Sequence, residues 1–134
     1  MGDTKRAELI AHAHLDPDNL HIVKSHRGFV TYTGTYKGSL VSIVATGMGR
    51  PMMDFMVREC RAVVSGPMAI VRLGTAGGPN KDIVPGTIVC ASKGSVLISK
   101  VIDAESEPFY SVSKVCPPSD KLSDLVRRIA FSQP

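Results

Sequence analysis

An arginine within an apolar run, followed at once by a glycine-rich turn, is the part of this sequence best suited to chemistry. Arg72 follows the apolar residues 68–71 and precedes the segment 74–78, which reads Gly-Thr-Ala-Gly-Gly. Burial of a guanidinium costs free energy unless an anion pairs with it, so these surroundings predict a negatively charged partner. The glycines let a ligand approach backbone N–H groups closely, and Thr75 adds a hydroxyl. Together these groups predict an oxyanion site, for which phosphate is the simplest occupant.

The elements that would position this site alternate between helix and strand. Helices are predicted where apolar residues recur every three or four positions, and strands where they alternate or run continuously. In chain order, the prediction is a helix over 7–15, strands over 20–23, 29–36 and 40–45, a helix over 51–64, strands over 68–73 and 87–92, and a helix over 119–131. Ser119 is the predicted N-cap of the last helix. Residues 95–115 fit neither pattern.

The segment from residue 40 to residue 73 predicts a parallel crossover. Both of its strands are almost continuously apolar, as strands buried on both faces are, and a helix connects them. Ligands of such sheets bind beyond the carboxyl ends of the strands, where Gly47 and Thr75 both lie. The turn Gly47-Met48-Gly49 either only reverses the chain or lets a ligand lie against its backbone. We therefore expect an α/β fold with the oxyanion site at this edge of its sheet.

Two further segments carry compatible chemistry. Gly2-Asp3-Thr4-Lys5-Arg6 stands directly before the first predicted helix, and Ser25-His26-Arg27-Gly28-Phe29 opens a predicted strand. With the motif from Arg72 to Gly77, they occur in an order and at a spacing that resemble the nucleoside phosphorylase family, and within it the uridine phosphorylase branch. The resemblance extends from Gly2 to the region near Cys90. It rests on three separate motifs, each of which alone would be weak.

The resemblance implies a three-layer α/β/α fold around a mixed sheet. Members of the family have a buried strand before the first motif, and a second half with the residues that bind ribose and base. Here only Met1 precedes that motif, and the sequence ends at Pro134 soon after a predicted helix. The expected organisation is therefore one partial, truncated domain over residues 1–134, the N-terminal, phosphate-binding half.

The resemblance also implies an activity, the reversible phosphorolysis of a nucleoside, here uridine. Phosphate attacks the anomeric carbon, and ribose 1-phosphate and the free base are formed. By resemblance, the phosphate-binding residues are Gly2, Arg6, Arg27, Arg72 and Thr75. Arg72 and Thr75 take the catalytic role among them. The nucleoside is contacted by Thr75, Ala76 and Gly77, with Ala76 acting through its backbone.

Assembly and cofactors also follow from the resemblance. In the family, the arginine of the second motif reaches into the phosphate site of the neighbouring subunit, so Arg27 implies a homodimer or a higher oligomer. Some members hold a monovalent cation between subunits through a glutamate and a serine, at positions occupied here by Gly28 and Met52. We therefore expect no metal, and no cofactor beyond phosphate as a co-substrate.

Composition argues against several other classes of function. With 134 residues, 43% hydrophobic and 21% charged, the chain forms one ordinary globular domain at most. A net charge of +4, no run of lysines and arginines, and only 3 tyrosines and 4 phenylalanines argue against a nucleic-acid partner. Cys60, Cys90 and Cys116 are odd in number and dispersed, which predicts reduced thiols in a cytoplasmic protein rather than disulfides or a zinc site. Neither a membrane-spanning run nor a signal peptide is recognisable, so no membrane partner is expected.

Three alternatives remain open. The substrate could be a purine nucleoside, although the Thr-Ala-Gly-Gly run from Thr75 favours the uridine branch. The chain could be a phosphate-binding or assembly fragment without activity, since no ribose or base segment is found. It could also be a small anion-binding module unrelated to nucleosides. In their plainer interpretations, Gly2 belongs to a disordered tail, Arg6 and Arg27 are solvated charges, and Thr75 only satisfies its turn.

Overall fold

The structure, a computed structural model, describes residues 1–102 and 108–132. The chain divides into two compact units, the first from Met1 to Gly77 and the second from Gly78 to Pro134. Each unit has its own antiparallel sheet and at least one helix.

The first unit consists of a helix, a three-stranded sheet, a second helix and a segment without regular structure. Its elements are α1 (Thr4–His14), a 3-10 turn (Pro17–Asn19), β1 (His21–Lys24), β2 (Val30–Tyr36), β3 (Ser39–Ala45) and α2 (Arg50–Val63). Up to residue 63, these bounds confirm the predicted elements to within a few residues. The glycine turn before α2 supplies its N-cap, Gly49, and Pro51 lies in its first turn, where a missing N–H costs nothing.

The sheet of the first unit is an antiparallel meander in the order β1-β2-β3. Tyr32 of β2 lies opposite Ile22 of β1 and Ile43 of β3, which fixes the register. The β2–β3 hairpin turns at Lys37 and Gly38, whose φ values are +49° and +79°. Two successive positive φ values are typical of a type I′ turn, which matches the right-handed twist of the strands.

Helix α1 packs on one face of this sheet through small side chains. The buried residues are Ala7, Ala11 and Leu15 of the helical segment and Val30, Tyr32 and Ala45 of the sheet. Residues four apart share one helix face, so the alanines let the helix approach the strands closely. Gly34 of β2 contributes to this approach, since a Cβ there would lie 3.3 Å from the Leu15 Cβ. Leu9, part of the apolar spacing that predicts this helix, is exposed instead.

The second unit contains a strand pair and a helix. β4 (Ile98–Lys100) pairs antiparallel with β5 (Tyr110–Val112), and α3 spans Asp120–Phe131. Ser119 is the N-cap of α3, as predicted, and its hydroxyl accepts the Leu122 N–H. The strand pair lies within 95–115, where the sequence predicts no element; residues 103–107 of that segment lie outside the described residues.

Two predicted strands, and the crossover built on one of them, are wrong. Residues 68–73 and 87–92 hold no regular secondary structure, so β3 has no parallel partner at 68–73. A strand requires a ladder of hydrogen bonds to a neighbour, and nothing in residues 1–102 or 108–132 supplies one. Val71 and Leu73 are accordingly 64% and 55% exposed. β3 is also not buried on both faces, because most of its residues are exposed or half-buried.

Among the described residues, no helix combines the length and the hydropathy that crossing a bilayer requires.

Candidate functional site

Met1 lies alongside the end of β3 and pairs with it through the backbone. Its amine donates to the Val44 carbonyl at 2.7 Å, and the Thr46 N–H donates to the Met1 carbonyl at 2.8 Å. One residue that bonds to two alternate positions of its neighbour is the pattern of parallel pairing. The pairing places Gly2 against Gly47, because a Cβ on Gly2 would lie 3.4 Å from the Gly47 carbonyl oxygen. The first motif therefore meets the glycine turn that follows β3.

That glycine turn has a backbone that other residues rarely adopt. Gly47 has a φ of +73°, and Gly49 has a φ of +102° with a ψ of 154°. The Gly49 values lie in a region that is essentially restricted to glycine. Met48, held between them, is 88% exposed, and its Cγ would lie 3.9 Å from a Cβ on Gly2. The turn thus presents backbone and one long apolar side chain beside Gly2.

Helix α1 brings the motif from Gly2 to Arg6 close to the motif from Arg72 to Gly77. Asp3 is the N-cap of α1, and its carboxylate accepts the Arg6 N–H, so this amide is not available to a ligand. The Arg6 side chain donates from Nη2 to the Thr75 Oγ1 at 3.3 Å, across 69 residues of sequence. The structure therefore unites two of the predicted phosphate-binding residues, Arg6 and Thr75, within the first unit.

Arg72 adds a second guanidinium to this neighbourhood. Burial lowers the pKa of the Met1 amine, and the positive charges of Arg72 and Arg6 lower that pKa further. Both arginines therefore lie near the same point of the backbone. In residues 1–102 and 108–132, neither guanidinium forms an ion pair with a carboxylate. The prediction that Arg72 is buried is wrong: it is exposed, because residues 68–73 do not form a sheet strand.

Ala76 and Gly77 follow Thr75 at the end of the first unit. Both are exposed, and a Cβ on Gly77 would meet no atom within 4 Å. This open space leaves room for the predicted contact to a nucleoside. The assignment of that contact to Ala76 and Gly77 stays a prediction.

Arg27 is not brought together with the other predicted site residues. It lies exposed in the β1–β2 turn, which is closed by the Phe29 N–H donating to the Ser25 Oγ at 3.0 Å. A groove of about 390 Å³ runs beside it, between the sheet and α2. Its apolar lining is contributed by Val23, Phe29, Val44, Met56 and Cys60.

One residue of the site region escapes prediction from the sequence. Thr46 is only 5% exposed, and its hydroxyl lies 3.2 Å from the Met1 carbonyl oxygen and 3.1 Å from that of Gly47. The available signal is a hydroxyl at the end of the apolar run of β3, directly before a glycine.

The arrangement can bind an oxyanion. It combines two guanidinium groups, one threonine hydroxyl and the backbone of two glycine-containing segments. Hydrogen bonds between such cations and an anion are shorter and stronger than neutral ones. No group of three or more His, Cys, Asp and Glu residues that could hold a metal ion occurs in the part of the chain that the structure describes.

Comparison with known proteins gives one family. The model of the phosphorylase superfamily matches residues 1–132. A purine nucleoside phosphorylase, DeoD-type, of Exiguobacterium sp. is 37% identical over 94 residues, which are 70% of this chain and 38% of that protein. A uridine phosphorylase of Treponema pallidum is 40% identical over 91 residues, which are 68% of this chain and 33% of that protein.

A solved structure shows the same similarity in three dimensions. It comes from a study of two diverse uridine phosphorylases of the oomycete Phytophthora capsici, and it superposes with a TM-score of 0.87 at 47% identity. The match covers 92% of this chain and 43% of that chain. It confirms the predicted fold class. The chain thus spans between 33% and 43% of the length of these proteins.

The geometry predicts that Arg72→Leu weakens binding of inorganic phosphate. A hydrogen bond to a charged group contributes about 1.5–3 kcal/mol, so the dissociation constant should rise roughly 10- to 150-fold in isothermal titration calorimetry. Arg58→Leu is the matched control, because Arg58 pairs with Asp54 on α2. Equal phosphate affinities of parent and Arg72→Leu would refute the assignment of Arg72.

Proposed function

Because this chain belongs to the phosphorylase superfamily, we propose that it binds inorganic phosphate for the phosphorolysis of a pyrimidine nucleoside. Uridine and phosphate would give uracil and ribose 1-phosphate. The observation that carries this proposal is the hydrogen bond from Arg6 to Thr75, which joins the first and third motifs in one site. Arg72 at the same site favours phosphorolysis over hydrolysis, since a hydrolytic nucleosidase has no phosphate to bind.

The chemistry asked of these residues is positioning and charge stabilisation. An oxygen of phosphate forms a bond to the anomeric carbon as the glycosidic C–N bond breaks, and the bonding electron pair leaves with the base. Arg6 and Arg72 would balance the charge of phosphate, and the Thr75 hydroxyl and the Gly2 N–H would orient it. Fixed orientation of this kind can account for about 7–11 kcal/mol of a barrier. We therefore expect phosphate as co-substrate and no further cofactor.

The choice of nucleoside rests on the third motif and on the solved structure. Thr75 is followed by Ala-Gly-Gly, and the structural match at 47% identity is a uridine phosphorylase. A purine nucleoside is the second candidate, because matched proteins at 37% and 40% identity are purine nucleoside phosphorylases. The contact to the nucleoside would come from Thr75, Ala76 and Gly77, with the backbone of Ala76 available to a base or sugar.

Other segments of a phosphorylase would have to supply the remaining contacts. The chain spans under half of each matched protein, and only Thr75, Ala76 and Gly77 are assigned to the nucleoside. We propose that residues 1–134 act as the N-terminal, phosphate-binding part of such an enzyme. A phosphate-binding or assembly fragment without activity is the alternative. The three free cysteines favour a reducing, cytoplasmic location.

An exchange of segments tests the activity. Residues 1–132 replace the matching part of the Phytophthora capsici enzyme, and release of base is measured with uridine and with inosine, with and without phosphate. We expect uridine phosphorolysis that requires phosphate and falls roughly a hundredfold with Arg72→Leu, because a charge-stabilising donor is removed. The 134-residue chain alone should show negligible turnover. Cleavage of inosine but not uridine would move the substrate to the purine class, and uridine cleavage without phosphate would contradict phosphorolysis.

We also propose that Arg27 acts on the phosphate site of a second copy. It is exposed in the β1–β2 turn and is not among the groups that meet at Arg6, yet it belongs to one of the three motifs. The apolar groove beside it gives that face a surface on which another subunit could dock. In a two-fold dimer each surface is used twice, so each site would take one Arg27 from its partner.

Mixing two inactive variants of the chimeric enzyme, which carries residues 1–132 in the Phytophthora capsici protein, tests this shared site. Arg27→Leu and Arg72→Leu should each be nearly inactive. Each mixed dimer would contain one intact site and one site with both substitutions, so an equal mixture should recover about a quarter of the parent activity if subunits exchange freely. Native mass spectrometry of mass-labelled variants checks that mixed dimers form. Mixed dimers without recovered activity would show that Arg27 serves its own subunit or none.

A further inference from the structure

We infer that Thr46 is a positioning residue of the phosphate site, whose hydroxyl aims the backbone N–H groups of Gly2 and Met48 at the anion. This inference rests on the proposed function, since it concerns the same site. It adds one hydrogen-bond donor to the anion, the Met48 N–H, and one supporting residue, Thr46.

Burial and bonding single out Thr46. It is the one buried polar or charged residue in the described part of the chain, at 5% exposed. A buried hydroxyl costs free energy unless it is hydrogen-bonded, and this one meets the carbonyls of Met1 at 3.2 Å and of Gly47 at 3.1 Å. Its backbone N–H also donates to the Met1 carbonyl at 2.8 Å. Because a hydroxyl has one proton, the two carbonyls share it or alternate as acceptors.

Because of the geometry of the peptide unit, these hydrogen bonds also fix the directions of two backbone N–H groups. In a trans peptide the C=O and the N–H of one unit point in opposite directions. The Met1 carbonyl shares its peptide unit with the Gly2 N–H, and the Gly47 carbonyl shares its unit with the Met48 N–H. When Thr46 holds both carbonyls, both N–H groups point away from it.

Those two N–H groups have no partner in the described part of the chain. Neither the Gly2 N–H nor the Met48 N–H donates a hydrogen bond within residues 1–102 and 108–132. The two residues are adjacent in space, since a Cβ on Gly2 would lie 3.9 Å from the Met48 Cγ. Two neighbouring backbone donors of fixed direction form an anion-binding concavity. Arg6 and Arg72 lie near this point as well, because both of their charges act on the amine of Met1, the residue before Gly2.

The test compares three variants by calorimetry with inorganic phosphate. Thr46→Val keeps the shape of the side chain but removes the hydroxyl, and its dissociation constant should rise about three- to tenfold. Thr46→Ser restores the hydroxyl and should stay within about twofold of the parent. Thr33→Val is the control, because the Thr33 hydroxyl pairs with Ser42 on the sheet at 2.8 Å, away from Met1 and Gly47. Urea unfolding of each variant separates lost stability from lost affinity.

A measurement on the parent keeps the test independent of folding of the variants. Phosphate should slow hydrogen exchange of the Gly2 and Met48 amides, read by two-dimensional NMR. Unchanged exchange at both amides on phosphate binding would overturn the inference. So would a Thr46→Val variant that loses stability but not affinity, or a Thr46→Ser variant as weak as Thr46→Val. A parent that binds no phosphate would overturn the proposed function together with this inference.

Discussion

The backbone pairing of Met1 with the end of β3 is the interaction on which the site depends. It sets Gly2 beside Gly47, and it starts α1 where the Arg6 side chain can reach Thr75. The alanine face of α1 then holds the helix against the sheet, so the arginine is carried by packed elements rather than by a free tail. A short parallel pairing at one sheet edge thus brings together groups far apart in sequence.

The site also carries an excess of positive charge. Arg6 and Arg72 both raise the positive potential around the Met1 amine and lower its pKa, and no carboxylate pairs with either guanidinium in the described residues. Like charges brought together in a folded protein repel, and a bound anion would relieve that repulsion. An anion that binds there only in the folded chain would therefore also stabilise that chain.

The sequence predicts local features well and pairing between distant segments poorly. The helix and strand bounds up to residue 63 and the Ser119 cap depend on neighbouring residues, and these predictions are confirmed. The family suggested by three motifs is confirmed as well. The strand over 68–73 is not, because an apolar run cannot show whether a neighbour is present to bond with it. Thr46 could not be predicted for a related reason, because its hydrogen bond to the Met1 carbonyl spans 45 residues.

A crystal structure of the chain with bound phosphate tests the central claim most directly. The account predicts the anion between Arg6 and Arg72, with the Thr75 hydroxyl and the Gly2 N–H within hydrogen-bond distance of its oxygens. Phosphate seated elsewhere, for example at Arg27 with the Arg6 region making no contact to it, would contradict the account.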